Sequence, residues 1–437
     1  MIGILSNHGK GEKNMAAAKD RDGFKKNLQF YKFCAYGFLK NLRFYEPFLL
    51  LFFLEKGLSY VEIGTLYAIR EISINIIEIP SGAAADSLGR RRIMVSSFIA
   101  YIISFIIFFL AHSYWTLALA MITFAWGEAF RTGTHKAMIF EYLEMHDWGH
   151  LKTYYYGHTR AWSQVGSALS ALIAAGLVFW QRSYAPIFLF TIIPYVLDLF
   201  LVLSYPANLD GPKHSSDKTF SGELVHVLKA TLKSIKNPDL LRAIANQALY
   251  SGYYKACKDY LQPILKTFAI SLPVLLALQD QQRTALITGV VYAMLYLLTA
   301  YASRSSGKIS ERYSTLAIPL NRLLLWGVSF GILSAVAYLL GVPLVAIFLY
   351  VGIYTIENLR KPMGIAYVTE RMDQSSMATL LSVESQAETL VAVVIALLLG
   401  FFITMWGLGG GLLAVSGLTL IVAFFLQLPV ENKTITK

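Results

Sequence analysis

Apolar stretches long enough to cross a membrane, separated by short polar turns, run through most of this 437-residue sequence. A transmembrane helix needs about 20 consecutive, mostly apolar residues. Twelve segments meet this requirement: 29–54, 60–81, 93–112, 115–138, 159–180, 184–204, 240–268, 285–304, 315–340, 343–363, 378–401 and 408–428. The longest polar interruption, 205–239, divides them six and six. The pattern predicts an all-α membrane protein whose twelve transmembrane helices form two six-helix bundles.

The same pattern sets the expected domain boundaries. They are an N-terminal tail (1–28), an N-terminal bundle (29–204), a linker (205–239), a C-terminal bundle (240–428) and a C-terminal tail (429–437). Within the linker, residues 224–235 are amphipathic, which is typical of a helix that lies on a membrane surface. The apolar run at 2–5 is too short for the core of a signal peptide, so we interpret 1–28 as a cytoplasmic tail.

Composition points to lipid as the solvent of most of the surface. The chain is 56% hydrophobic and only 15% charged, whereas a soluble domain is about 25% charged. The net charge of +11 arises mainly from alternate loops, the richest being 10–26, 90–92, 213–236 and 304–312. Basic loops remain on the cytoplasmic side of a membrane. We therefore expect a multi-pass protein of the bacterial plasma membrane with both termini in the cytoplasm, and no nucleic-acid partner.

The loop between the second and third predicted helices carries the most specific motif. It reads G-x-x-x-D-x-x-G-R-R-R, from Gly82 and Asp86 to Gly89 and the arginines 90–92. Glycine allows close helix approach and a tight turn at positive φ. This loop resembles the signature of the major facilitator superfamily, and 133–137 is similar to poorly characterised bacterial members. The resemblance implies two pseudo-symmetric bundles that move a small-molecule substrate by alternating access.

An internal repeat agrees with two related halves. Tyr67-Ala68 and Ser81-Gly82 recur 225 positions later, which places Glu311 where the first copy has Asp86. Glu128-x-x-Arg131 recurs at 357–360, and Lys40-x-x-Arg43 recurs in basic form at 255–258. The order and near-constant shift of these echoes favour a duplication.

The repeated charges lie inside predicted helices, where each costs about 2.5–3.5 kcal/mol at mid-helix. They fall on helices one, four, seven and ten, which the resemblance implies line the central cavity. We interpret eight of them as candidate substrate-binding residues: Lys40, Arg43, Glu128, Arg131, Lys255, Lys258, Glu357 and Arg360. The alternative is that Glu128–Arg131 and Glu357–Arg360 only neutralise each other within one helix. The basic excess favours an anionic substrate.

Carboxylates near these cations are candidates for carrying a coupling proton. The best placed in the sequence are Glu46, Glu71 and Asp259. Glu71 belongs to a polar stripe on the second helix with Tyr67, Asn75 and Glu78. Apart from these three candidates, the eleventh helix carries two further charges in an apolar segment, Glu384 and Glu388, which are one turn apart.

The resemblance also implies a latch on the cytoplasmic side when the cavity faces outward. Its residues would be Gly82, Asp86, Gly89, Arg90, Arg91 and Arg92 in the first copy, with Glu311 and Arg312 in the second.

The sequence lacks the motifs that are typical of other classes of protein. The sequence shows no nucleotide-binding loop, zinc motif or nucleophile elbow, so we expect no enzyme, cofactor or metal. Efflux of amphiphiles and a transporter-like sensor remain alternatives, and we expect a monomer.

Overall fold

A computed structural model describes residues 26–210, 237–273, 276–371 and 377–430, and a few residues inside these ranges, Gly82 and Asp86 among them, are described by their backbone only. Helices make up nearly all of this part of the chain, and they form twelve spans in two halves. The amphipathic stretch 224–235 lies outside the described residues.

The N-terminal half contains spans 1 to 6. Span 1 consists of two helices, Leu28–Lys40 and Leu49–Glu55, and spans 2 and 3 are Tyr60–Leu88 and Arg90–Leu110. Span 4 is Tyr114–Arg131, span 5 is Lys152–Gln181 and span 6 is Pro186–Leu203. The sequence predicts a fourth span that reaches residue 138. It ends at Arg131 instead, because Gly133 adopts φ 82° and a separate helix, Thr134–Glu144, begins there.

The C-terminal half contains spans 7 to 12. Span 7 consists of Pro238–Cys257 and Leu261–Ser271, and spans 8, 9 and 10 are Asp280–Ser310, Ala317–Leu339 and Pro343–Thr369. Spans 11 and 12 form one continuous stretch, Met377–Phe425, with a kink at Gly407 where φ is 71°. By length and apolar composition alone, six helices in the described part qualify as membrane spans. The other spans do not meet this criterion, because they contain charged residues or are divided by a helix break.

Spans 1 and 7 are broken at equivalent points. Each changes to a short 3-10 turn, Glu46–Phe48 in span 1 and Lys258–Tyr260 in span 7, before a second helix continues. A proline lies at each restart, Pro47 and Pro263. Proline fits the first turn of a helix but cannot supply the hydrogen bond that a continuous helix needs. These breaks bring charged side chains and free backbone groups to the middle of the molecule.

Because each half has six spans, residues 26, 210, 237 and 430 lie on one face of the molecule, which we call the terminal face. The two halves meet mainly through spans 2 and 11 and through spans 5 and 8. Toward the opposite face this contact is tight. A Cβ on Gly289 would lie 2.3 Å from the Cβ of Ala175, and one on Gly64 would lie 2.5 Å from the carbonyl oxygen of Ala396. Polar contacts accompany this packing.

Gln262 on span 7 supplies polar contacts between the two halves near the opposite face. Its side-chain amide donates to the carbonyl oxygen of Glu46 at 3.0 Å, and its Oε1 accepts from the backbone N–H of Leu50 at 2.8 Å. These bonds satisfy backbone groups that the break in span 1 leaves without helical partners. The opposite face is therefore closed by direct contact between the halves.

Candidate functional site

A cavity of about 280 Å³ lies between the two halves. Its wall is drawn from spans 1, 2, 4, 7 and 11, and it consists of Arg43, Tyr45, Glu46, Leu49, Arg70, Glu71, Ile74, Glu78, Phe124, Glu128, Thr132, Lys255, Lys258, Asp259 and Ser385. Glu78 and Thr132 lie toward those ends of spans 2 and 4 that reach the terminal face. The cavity therefore extends toward the terminal face. Seven of the charged residues predicted from the sequence as binding or coupling residues meet in this wall.

The N-terminal side of the cavity is organised around Glu128. Arg131 lies 2.6 Å from its Oε2, and Arg43 lies 3.4 Å from its Oε1. The hydroxyl of Tyr101 donates to the same carboxylate at 2.6 Å and accepts from Arg131 at 3.2 Å. The predicted Glu128–Arg131 pair is therefore present, but it also holds Arg43 at the cavity wall.

Glu46 connects the two halves. Its Oε1 lies 3.0 Å from the ammonium of Lys258 on span 7, and its Oε2 lies 3.9 Å from Arg43 on its own span. The break in span 1 makes this possible, because it turns Glu46 toward the interface. Two cations from different halves thus share one carboxylate in the cavity.

A second link between the halves lies toward span 11. The Lys255 ammonium is 3.0 Å from Glu388 on span 11 and 3.8 Å from Glu71 on span 2. Glu71 also accepts two hydrogen bonds from Arg70, at 2.9 and 3.1 Å. Arg70 lies over the ring of Tyr67, 5.0 Å from its centroid. The sequence shows Arg70 only as a neighbour of the polar stripe, whereas the structure places it in the cavity wall.

Four of the eight predicted binding residues are not in the wall: Lys40, Arg131, Glu357 and Arg360. Lys40 is buried at the end of its helix and does not line the cavity. Arg360 is fully buried inside the C-terminal half, where it donates to the backbone and side chain of Asn246 and, at 2.9 Å, to Gln247. Its guanidinium also lies 5.5 Å from the ring centroid of Tyr250. These contacts tie span 10 to span 7.

The intrahelical pair between Glu357 and Arg360, which was the alternative to a binding role, does not form. Glu357 instead accepts a hydrogen bond from Ser251 at 2.9 Å and lies 3.8 Å from Lys361. Lys361 also lies 3.5 Å from Glu388. Sequence reasoning missed Lys361, although its position four residues after Glu357 is the spacing of a helical ion pair.

The loop that carries the superfamily-like motif is fixed to the end of the N-terminal half. Gly89 adopts φ 96° between spans 2 and 3. The carboxylate of Asp210 accepts the backbone N–H of Arg91 at 2.7 Å and so caps the start of span 3. The Arg91 side chain donates to the carbonyl oxygen of Tyr205 at 3.1 Å, and Arg90 pairs with Glu141 at 3.1 Å.

The remaining predicted latch residues are solvent-exposed or lie outside the description. Arg92 is exposed at the start of span 3, and Glu311 and Arg312 are exposed after span 8. Gly82 and Asp86 are described by their backbone only. The first motif copy therefore makes defined contacts through Arg90 and Arg91, while the second copy stands at the surface.

Comparison with known proteins gives a consistent result. The sequence model of the Major Facilitator Superfamily matches residues 33–386. An uncharacterized MFS-type transporter of Bacillus subtilis (strain 168), YxaM, is 24% identical over 412 residues, covering 93% of this chain and 94% of that protein.

Solved structures resemble the whole fold. The nucleoside transporter NupG matches with a TM-score of 0.70 at 12% identity, over 91% of this chain and 96% of NupG. A bacterial homolog of the human lysosomal transporter Spinster, solved inward-facing and unoccupied, matches with a TM-score of 0.69 at 16% identity, over 93% of this chain and 97% of that one. At these identities the likeness concerns the fold.

Proposed function

The chain belongs to the Major Facilitator Superfamily, and we propose that it moves a small organic anion across the bacterial plasma membrane by proton-coupled alternating access. The terminal face, toward which the cavity extends, is then the cytoplasmic face. The described conformation is inward-open, with the opposite face closed by the contacts of Gln262, Gly64 and Gly289.

One observation carries the proposal: Arg43 and Lys258, from opposite halves, converge on Glu46 inside the cavity. A carboxylate or phosphate group of a substrate can occupy the same place between these two cations. Arginine and lysine both bind such groups strongly when they are partly shielded from water. A substrate held there contacts both halves, so its binding is coupled to their relative motion.

The same geometry supports the proposed coupling to protons. Glu46 competes with the substrate for the two cations as long as it is ionised. Protonation of Glu46 removes its charge and frees Arg43 and Lys258 for an anion. Glu71 competes in the same way for Lys255 and Arg70, and Asp259 is a third carboxylate in the wall beside Lys258. Substrate and proton therefore bind together.

The other predicted residues support this site. Glu128 and Arg131 position Arg43, while Arg360 and Lys40 stabilise their own halves and do not contact the substrate. The first motif copy would form the latch that closes the cytoplasmic side. On opening to the outside, we expect the segment from Gly82 to Arg92, held by Asp210, to meet the other half near Glu311 and Arg312.

A ligand screen by thermal shift tests the substrate class. A compound that binds only the folded protein raises its melting temperature. Purified protein is heated with anionic, neutral and cationic metabolites, in parallel with the variants Arg43→Gln and Lys258→Gln. The proposal expects stabilisation by one or more anions, lost in both variants. If only amphiphilic cations stabilise the protein, and equally in the wild type and both variants, the result contradicts the proposal and favours efflux of amphiphiles.

A further inference from the structure

The C-terminal half contains a cluster of ionisable groups, of which the proposed substrate site uses only Lys255. It consists of three carboxylates, Glu357, Glu384 and Glu388, and two lysines, Lys255 and Lys361. They come from spans 7, 10 and 11. Both lysines converge on one oxygen of Glu388, at 3.0 and 3.5 Å.

Two oxygens of this cluster have no hydrogen-bond partner. They are Oε2 of Glu357 and Oε1 of Glu384, and both are shielded from solvent. Glu357 is 4% exposed and Glu384 is 7% exposed. A buried ionised carboxylate requires hydrogen bonds or cations on both oxygens, whereas a protonated one has less charge to stabilise. The unpartnered oxygens mark the position of an additional proton.

The charges of the cluster agree with this reading. Three ionised carboxylates face two lysines, which leaves one negative charge in a buried environment. Span 2 adds two further carboxylates nearby, Glu71 and Glu78. The Arg360 guanidinium keeps its positive charge, but it donates to Asn246 and Gln247 and to neither unpartnered oxygen. One bound proton removes the charge of a carboxylate that has no donor on one of its oxygens.

The equivalent position in the N-terminal half behaves differently. Glu128, the counterpart of Glu357 in the repeat, is bound by Arg131, Arg43 and Tyr101 through both of its oxygens. Glu357 has one hydroxyl donor and a lysine at 3.8 Å, because Arg360 is directed into the core. The two halves have thus diverged, with the cations concentrated around one carboxylate and depleted around the other.

We propose that Glu357, Glu384 and Glu388 form a proton-binding site that holds one proton in the empty, inward-open protein. A proton from water converts one carboxylate to a carboxylic acid, and no other bond changes. Lys361, whose side chain is 45% exposed, provides the contact with solvent. Lys255 connects the cluster to Glu71 across the interface, so separation of the halves alters the field at the bound proton. The link to transport rests on the proposed function, but proton binding itself does not.

Infrared difference spectroscopy tests proton binding directly. Spectra of the substrate-free protein in liposomes, recorded across a pH series, resolve the carbonyl band of carboxyl groups as they gain a proton. The variants are Glu357→Gln and Glu384→Gln, with Glu128→Gln as the matched control from the other half. Melting curves of all proteins establish that each is folded.

The proposal expects a titrating carboxyl component that is lost in Glu357→Gln, in Glu384→Gln or in both, and retained in Glu128→Gln. An unchanged component in both C-terminal variants overturns it, as does an equal loss in the control. Because no substrate is present, the result is independent of the ligand screen. A failed screen with a positive infrared result refutes the substrate class, and the reverse refutes only the proton site.

Discussion

Lys258 on span 7 and Glu46 on span 1 form an ion pair of 3.0 Å that joins the two halves of the molecule inside the cavity. The pair exists because both spans break at this depth, where each changes to a 3-10 turn. Arg43 shares the same carboxylate at 3.9 Å. Under the proposed function, Glu46 occupies the position of the anionic group of the substrate.

This competition predicts opposite effects of two conservative variants. Glu46→Gln removes the internal competitor, so anion binding should tighten and lose its strengthening at acidic pH. Lys258→Gln removes a ligand of the anion, and binding should weaken about tenfold or more, since a hydrogen bond to a charged group contributes about 1.5–3 kcal/mol. Calorimetric titration with an anion from the screen, at several pH values, measures both. Weaker binding in Glu46→Gln would exclude the competition mechanism.

The tight contact at Gly289 predicts a conformational shift. Gly289→Leu places a side chain where the Cβ of Ala175 already lies, which should oppose closure of the opposite face by about 1–3 kcal/mol. The variant should favour the outward-open state. Leu49→Cys places a thiol in the cavity wall. In the Gly289→Leu background this thiol should react faster with a membrane-impermeant reagent that is added on the face opposite the terminal face.

The control for this experiment is Gly176→Leu on the neighbouring span 5. A Cβ on Gly176 meets no atom within 4 Å, so this change should leave the labelling rate unaltered. Equal labelling of the two leucine variants would show that contact between spans 5 and 8 does not determine which face is open.

Arg360 should behave as a structural residue. Arg360→Met leaves Asn246 and Gln247 without their buried donor, and each such loss costs about 1–3 kcal/mol. The melting temperature should fall, while the identity of stabilising ligands stays that of the wild type. Arg43→Gln should show the converse, a small change in stability with loss of the anion response. Loss of ligand selectivity in Arg360→Met would return this residue to the binding site.

Asp198 should limit stability. It is fully buried in span 6, and neither carboxylate oxygen has a hydrogen-bond partner. Asp198→Asn keeps the size of the side chain and removes the cost of protonating a carboxyl group when it is buried, so the melting temperature should rise at neutral pH. A marked loss of stability in Asp198→Asn would reveal a partner that the carboxyl group requires.

Asp210→Ala, which removes the cap on span 3, should lower the free energy of unfolding by about 0.5–2 kcal/mol.

Much of the fold could be predicted from the sequence, because apolar length and loop charge are local properties. The two halves follow from them, whereas the equivalent charges come from the internal repeat and the loop from its glycine, aspartate and arginine motif. The break of span 1 was not predicted, although Pro47 indicates it in retrospect. The end of span 4 at Arg131 was also missed, because apolar residues continue past Gly133 into a separate helix.

The site was harder to predict than the fold. Arg43, Glu46 and Lys258 line the cavity, since isolated charges in apolar helices must face a partner or a cavity, and their binding and coupling roles stay predictions. Arg360 has the same pattern in sequence, yet it points into its own half, because Asn246 and Gln247 on span 7 offer acceptors there. Lys361 was missed because the adjacent arginine seemed sufficient to neutralise Glu357. Such choices depend on which helix face is turned toward a neighbour.

Uptake into liposomes tests the central claim most directly. Protein-containing vesicles with a neutral interior are placed in acidic medium with a mixture of small organic carboxylates and phosphates, and the contents are analysed by mass spectrometry. The account predicts that at least one anion accumulates inside, that a protonophore abolishes the accumulation, and that vesicles with Lys258→Gln fail to accumulate it. If no anion accumulates with wild-type protein, or if Lys258→Gln accumulates it equally well, proton-coupled anion transport through this cavity is contradicted.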